Sequence, residues 1–190
     1  MIAEKKQLRA QLRAQRRSLS PQEVTDKSQR IARRLFSFLP FQQASTIVLY
    51  NADENEVVTE AMWREANRQN KSVYYPRITA DKKDLEFVRR FPKDHLIVGT
   101  FGILIPPGND LLSGLAATDI VLTPGVGFDP HGHRLGRGKG YYDRAFRGVL
   151  AGALRVALAY ELQVAPEIPV SPDDELVNWI VTEERLVSCS

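Results

Sequence analysis

Asp119-Ile-Val-Leu-Thr-Pro-Gly-Val-Gly-Phe-Asp-Pro-His-Gly-His-Arg-Leu-Gly-Arg-Gly-Lys-Gly-Tyr-Tyr-Asp143 decides the fold class, because it passes from a short apolar run through a glycine-rich loop into a segment of helical character. Asp119 to Thr123 carries an apolar, largely β-branched run, Ile120-Val-Leu-Thr123, without alternation, the pattern of a strand buried on both faces. Pro124 to Gly140 follows as a long loop, and a helix begins near Tyr141. The same order occurs upstream: Thr46 to Tyr50 reads as a buried strand, Asn51 to Glu56 as a polar loop, and about Val57 to Gln69 as a helix. Strands alternating with helices predict an α/β protein with an open, mostly parallel sheet covered on both faces. In such sheets ligands bind where loops leave the carboxyl ends of the strands, which makes 51–56 and 124–140 the first places to look for chemistry.

Towards the N-terminus, Leu8 and Leu12 are spaced by four among Lys, Arg and Gln, so Ile2 to Arg17 is expected to form a basic amphipathic helix. Ser20, Pro21 and Glu23 spell a capping box with proline in the first turn, and a second helix carries the stripe Val24, Ile31, Leu35 and Phe38 until Pro40 stops it. Val73 to Tyr75 and Leu85 to Phe91 add strands, the second alternating like an edge or hairpin strand. Residues 92–114 read as irregular, with Pro106, Pro107 and Gly108 a hard turn. Leu154 to Tyr160 and a last short strand, Trp179 to Thr182, complete the pattern. Without repeats, low-complexity tracts or linkers, the 190 residues are read as one domain, 1–190.

Composition narrows the class. The longest apolar runs fall far short of a membrane span, no signal-peptide segment opens the chain, and the one cysteine, Cys189, has no partner for an internal bond. The expectation is a cytoplasmic protein that works as a monomer on small molecules, without membrane or nucleic-acid partners. The net charge of +3 is unevenly spread, with ten Lys or Arg against three acids in residues 1–34. That basic end suits nucleic acid, a phosphate-bearing small molecule, or plain solvent around a charged helix face.

Between Arg134 and Asp143 the residue types favour the small molecule. Glycines 136, 138 and 140 strip side chains from alternate positions, which lets backbone N–H groups approach an anion, while Arg134, Arg137 and Lys139 supply charge around them. The pattern is neither a Walker loop, since Gly140 rather than Ser or Thr follows Lys139, nor a dinucleotide fingerprint. Asp143, directly after this cradle, is placed to hold Mg²⁺ beside phosphate oxygens, and it is equally suited to a cap or an ion pair. Asp173 and Asp174 are a second acidic source, or solvated turn residues. His95, His131 and His133 make no zinc pattern, and no nucleophile elbow is present.

The run Asp129 to Asp143 closely resembles the signature of the 5-formyltetrahydrofolate cyclo-ligase family, and the likeness extends to Lys5-Lys6-Gln7-Leu8-Arg9, Glu56-x-x-Thr59, Tyr75-Pro76-Arg77, the Asp174 loop and Val181-Thr182. The resemblance implies a three-layer α/β/α sandwich related to ribose-5-phosphate isomerase and CoA-transferase domains, and an ATP- and Mg²⁺-dependent enzyme that cyclises 5-formyltetrahydrofolate to 5,10-methenyltetrahydrofolate with release of ADP and phosphate. By the same resemblance, Lys5, Arg9 and the segment Arg134, Leu135, Gly136, Arg137, Gly138, Lys139, Gly140, Tyr141 and Tyr142 contact ATP. Arg137 and Lys139 carry the catalytic charge. Arg137 to Tyr141, Glu56 and Phe101 contact the folate, while Asp143 and Asp174 hold the metal.

Two positions depart from the family pattern. Ile105 stands where Glu or Gln is usual, which removes a polar contact on the substrate side, and Asn178 stands where a second Asp is common near the C-terminus. The rival readings are a related ATP-binding protein acting on a different substrate, which the Ile105 departure raises, and a nucleic-acid-binding module built on the basic first helix.

Overall fold

The computed structural model describes residues 2–189. In chain order its elements are α1 (Ile2–Arg17), α2 (Pro21–Phe36), α3 (Leu39–Gln43), β1 (Thr46–Val48), α4 (Glu60–Arg68), β2 (Ser72–Ile78), β3 (Leu85–Arg89), β4 (Ile97–Val98), β5 (Leu104–Ile105), β6 (Ile120–Thr123), β7 (Gly127–Phe128), β8 (Arg134–Leu135), α5 (Tyr141–Arg147), β9 (Leu154–Leu158), β10 (Trp179–Val181) and β11 (Leu186–Ser188). Seven strands form the central sheet in the order β11-β10-β9-β6-β1-β2-β3. The five inner strands run parallel, and the edge strands β3 and β11 are antiparallel.

The unalternated apolar strands do fill two cores. Ile47 and Leu49 of the β1 segment, with Ile120 and Leu122 of β6, face α2 and α4, where Ile31, Leu35, Met62 and Ala66 are buried against them. Val48 and Val121, one residue out of phase, face the other way and pack on Ala145 and Phe146 of α5. Helices therefore cover both faces, giving the three layers. At the strands' amino ends the buried Asp119 carboxylate accepts from the Thr46 N–H at 2.9 Å and from the Ala116 N–H at 2.9 Å, fixing β1 beside β6.

β1 and β6 are neighbours whose connections leave in opposite directions, β1 towards β2 and β6 towards β9. That reversal opens a crevice at their carboxyl ends. Helix α1 belongs to neither face. Leu12 packs with Val126, Leu135 and Ile168, which lays α1 over the loops that leave the sheet.

Several expectations need correction. Pro40 does not stop α2, which ends at Phe36; it sits in the first turn of α3, where a missing N–H costs nothing, and Phe38 is buried as the residue before that helix. Residues 92–114 are not wholly irregular, since β4 and β5 pair as a hairpin. The loop 124–140 likewise contains the β7–β8 hairpin. Trp179 to Thr182 is not the last strand, because β11 turns back along it. The capping box reads true: the Ser20 hydroxyl accepts from the Glu23 N–H and the Glu23 carboxylate accepts from the Ser20 N–H at 2.8 Å.

Candidate active site

A cleft of about 680 Å³ opens at the β1–β6 reversal, within the size range of a small-molecule site. It is lined by every residue expected to contact ATP, the folate or the metal: Lys5 and Arg9 of α1, Glu56 after β1, Phe101 of the β4–β5 turn, the segment Arg134 to Asp143, and Asp174. Residues 169 positions apart in the chain, Lys5 and Asp174, meet there as an ion pair.

Two glycines shape the cradle. Gly138 has φ +95° and Gly140 φ +67°, left-handed backbone that side-chain-bearing residues rarely adopt, and a Cβ on Gly138 would lie 3.6 Å from the Arg9 guanidinium carbon. Arg9 in turn donates to the Gly136 carbonyl at 2.8 Å, so α1 is stitched to the loop at its turning point. Helix α5 starts at Tyr141, as expected, but spans only seven residues and has no side-chain cap. The loop amides and the cations, rather than a long helix dipole, make this end of the cleft attractive to anions.

The charges are arranged in matched pairs. Arg134 is buried and donates to Asp143 at 3.0 Å. Lys5 pairs with Asp174, whose carboxylate also accepts from the Ser171 N–H at 2.7 Å. Arg137 spans two acids, with 2.7 Å to Asp53 and 2.9 Å to Glu56. Among the described residues the Lys139 ammonium alone of the cradle cations has no acidic partner. Burial lifts the Glu56 carboxyl above its ordinary value, with Arg137 and Arg16 partly offsetting it. Burial works against the Arg137 charge, yet Glu56 and Asp53 outweigh it and hold the guanidinium well above its ordinary range.

Asp143 and Asp174 lie on one wall, where the N–H of Glu175 approaches Asp143 Oδ1 at 3.4 Å. They are two hard oxygen donors, and among the described residues no three His, Cys, Asp or Glu side chains are gathered as a complete metal cage. This donor set fits Mg²⁺, which takes one or two carboxylates and completes its shell with water and phosphate oxygens.

The site also holds residues that the sequence reading passed over. Arg16 is buried, donating to the Glu54 and Gly125 carbonyls at 3.0 Å each and standing 3.7 Å from Glu56. Its signal was present, since it continues the spacing of Leu8 and Leu12 onto the packed face of α1. The Tyr50 and Tyr142 hydroxyls are buried without hydrogen-bond partners at the cleft floor, and burial pushes both phenols well up. Four of the five such orphan polar atoms among the described residues belong to Arg16, Tyr50, Arg134 and Tyr142, an accumulation typical of a site made for a polar ligand.

Other positions fall away from the chemistry. Asn178 lies outside the cleft lining, where its side-chain oxygen accepts from the Arg155 N–H at 2.8 Å as part of the sheet edge. His133 contacts Asp129 at 2.9 Å, and the fully buried Asp129 carboxylate also accepts from the backbone of His131 and Ile168. Those histidines serve the turn between β7 and β8. Ile105 does line the cleft and is buried, so it presents an apolar wall there.

The 5-formyltetrahydrofolate cyclo-ligase family model matches residues 1–183. This chain belongs to the 5-formyltetrahydrofolate cyclo-ligase family. The enzyme of that name from mouse is 29% identical over 97% of this chain and 96% of its own length, and the one from Haemophilus influenzae is 32% identical over 87% and 90%. Among solved structures, the 5,10-methenyltetrahydrofolate synthetase of Aquifex aeolicus aligns with a TM-score of 0.83 at 30% identity, covering 97% of this chain and 92% of its own. That of Mycoplasma pneumoniae aligns at 0.74 and 26% identity, covering 95% and 99%. The α/β architecture read from the strand and helix pattern is the one these cyclo-ligase relatives share.

Proposed function

We propose that this chain uses ATP and Mg²⁺ to cyclise 5-formyltetrahydrofolate to 5,10-methenyltetrahydrofolate, releasing ADP and phosphate. The observation that carries the reading is the convergence, in one cleft, of an unpaired lysine in a glycine cradle, two carboxylates suited to a metal, and a buried acid bonded to Arg137. A formyl group on nitrogen is a weak electrophile because its oxygen leaves poorly, and phosphorylation of that oxygen removes the obstacle. The formyl oxygen forms a bond to the γ-phosphorus as the bond from that phosphorus to ADP breaks. The second folate nitrogen then bonds to the formyl carbon and gives up its proton, and the carbon–oxygen bond breaks as the oxygen departs as part of inorganic phosphate.

The chain's part is placement and charge neutralisation. Lys5, Arg9 and the amides of residues 134–142 hold the triphosphate, with Lys139 and Arg137 meeting the charge that develops on the transferring group. Glu56 accepts from N–H donors of the folate ring, and Phe101, 74% exposed at the turn between β4 and β5, offers its ring face at the cleft mouth. Asp143 and Asp174 would hold Mg²⁺, which would supply further neutralisation of the phosphate oxygens. As Lys5 and Arg134 already pair with those carboxylates, ligand binding exchanges partners rather than burying new naked charges.

The rival built on nucleic acid draws less support from α1 than its basic sequence offers. Lys5, Arg9, Arg13, Arg16 and Arg17 all engage acids or carbonyls of this same chain. The substrate-changed rival keeps one foothold in Ile105. No described helix is long and apolar enough to cross a membrane, and a single cysteine suits a reducing cytoplasm, where the chain acts as a monomer on small molecules. Purified protein mixed with ATP, Mg²⁺ and 5-formyltetrahydrofolate should develop the near-ultraviolet absorbance of the methenyl product, and none when ATP is withheld. ATP-dependent hydrolysis without that absorbance would favour the changed substrate.

A further inference from the structure

We infer that Asp53 is a positioning residue that keeps Arg137 from closing off Glu56. The inference rests on the reading of Glu56 as a folate contact. Arg137 divides its two terminal nitrogens between two acids, one at 2.7 Å from Asp53 Oδ2 and the other at 2.9 Å from Glu56 Oε1. The other Glu56 oxygen accepts from the Asp53 N–H at 3.1 Å. Both oxygens of the acid meant for the substrate are therefore already hydrogen-bonded, and both hydrogen bonds run through residue 53 or through the arginine it holds, while Arg16 adds only a longer ion pair to Oε1 at 3.7 Å.

The two acids are not equivalent. Glu56 is buried, with 7% of its side chain exposed, whereas Asp53 is 41% exposed. Attraction for a guanidinium is stronger at the buried acid, where water screens it less. Left with Glu56 alone, a planar guanidinium takes the two-pronged geometry it prefers with a carboxylate and covers both oxygens. Asp53 prevents this by anchoring one prong outside. When substrate N–H groups take over Glu56 Oε1, Arg137 keeps a charged partner and stays at the cleft edge near Lys139. Flanking glycines at 136 and 138, the latter at φ +95°, leave the Arg137 backbone free to turn slightly as its contact with Glu56 is given up.

The test is equilibrium binding of 5-formyltetrahydrofolate, without nucleotide, to the full chain by titration calorimetry. Asp53→Asn keeps the backbone contacts and the shape but loses the charge, and it should weaken binding about ten-fold, the scale of one charge-assisted hydrogen bond. Asp53→Glu should restore most of the affinity. In a Glu56→Gln background, where Arg137 has no buried charge to collapse on, Asp53→Asn should change affinity by less than about two-fold. Wild-type affinity in Asp53→Asn, or an equal loss in both backgrounds, overturns the inference while leaving the functional reading standing. Absence of binding by the wild-type chain overturns this inference, whereas only absence of the methenyl product in the ATP-dependent assay overturns the functional reading with it.

Discussion

At the scale of single residues, the site works by giving its cations a partner to hold until a ligand arrives, an acid for Lys5, Arg134 and Arg137 and the Gly136 carbonyl for Arg9, and Lys139 is the exception. Lys139 has no such acid, so its charge is wholly available to a transferring phosphoryl group. Lys139→Ala should lower kcat/KM by about 2 to 4 kcal/mol in transition-state stabilisation, read from steady-state kinetics with ATP varied, and near-normal turnover would contradict the assignment. Glu56 makes a prediction about pH. Its carboxyl is lifted above the ordinary 4.5 by burial, with Arg137 and Arg16 pulling the other way. A lifted acid takes up its proton earlier on acidification, so folate affinity falls as pH drops through the raised value. Stability runs the opposite way, rising on acidification through that window, because the charged form is the one burial penalises. The folate kcat/KM profile should show an acid limb above 4.5 that Glu56→Gln abolishes. Much of this was legible, because glycines, cations and acids crowd into Arg134 to Asp143. Asp53 and Tyr50 were not, since an Asp in a polar loop and a Tyr after a strand each have ordinary uses, and only the fold sets them around Glu56; the spacing of Leu8, Leu12 and Arg16 marked Arg16 as packed but not as a neighbour of Glu56.

Among the elements, α1 matters more than its basic sequence suggests. It is a clamp across the two loops that form the cleft, held by Leu12 in a small apolar cluster and by Arg9 and Arg16 on loop carbonyls. Arg16→Ala removes a buried cation from between Glu54 and Glu56 and leaves the Gly125 carbonyl short of a donor that Gln163 only partly replaces. The loss should be roughly 3 kcal/mol in urea unfolding, the cost of breaking a buried charge pair, and a change below the noise would mean the clamp is slack. Helices were legible where local chemistry fixes their ends: α1 runs over Ile2–Arg17 and α2 begins at the Ser20 capping box. Proline was misleading at position 40, because its preference for a first helical turn and its ability to end a helix look alike in sequence. The β4–β5 and β7–β8 hairpins have two-residue strands, too short for any periodicity to register. β11 was missed for the same reason, being three half-exposed residues at the margin of the sheet.

For the whole molecule, the sheet order explains why the chemistry collects where it does. The chain lays β1, β2 and β3 to one side and β6, β9 and β10 to the other, so the loops after β1 and β6 part and leave a cleft between them. Apolar strands without alternation told of a sheet covered on both faces, and the cores on either side bear that out. The strand order was beyond reach, since nothing in a five-residue apolar run says which neighbour it will choose. The central claim is that this cleft moves a phosphoryl group from ATP to the formyl oxygen of the folate. Turnover of 5-formyltetrahydrofolate labelled with ¹⁸O in the formyl group, with the released phosphate read by ³¹P NMR, tests that claim at the atom concerned. The account predicts that the phosphate carries the label; unlabelled phosphate formed alongside the methenyl product would contradict it.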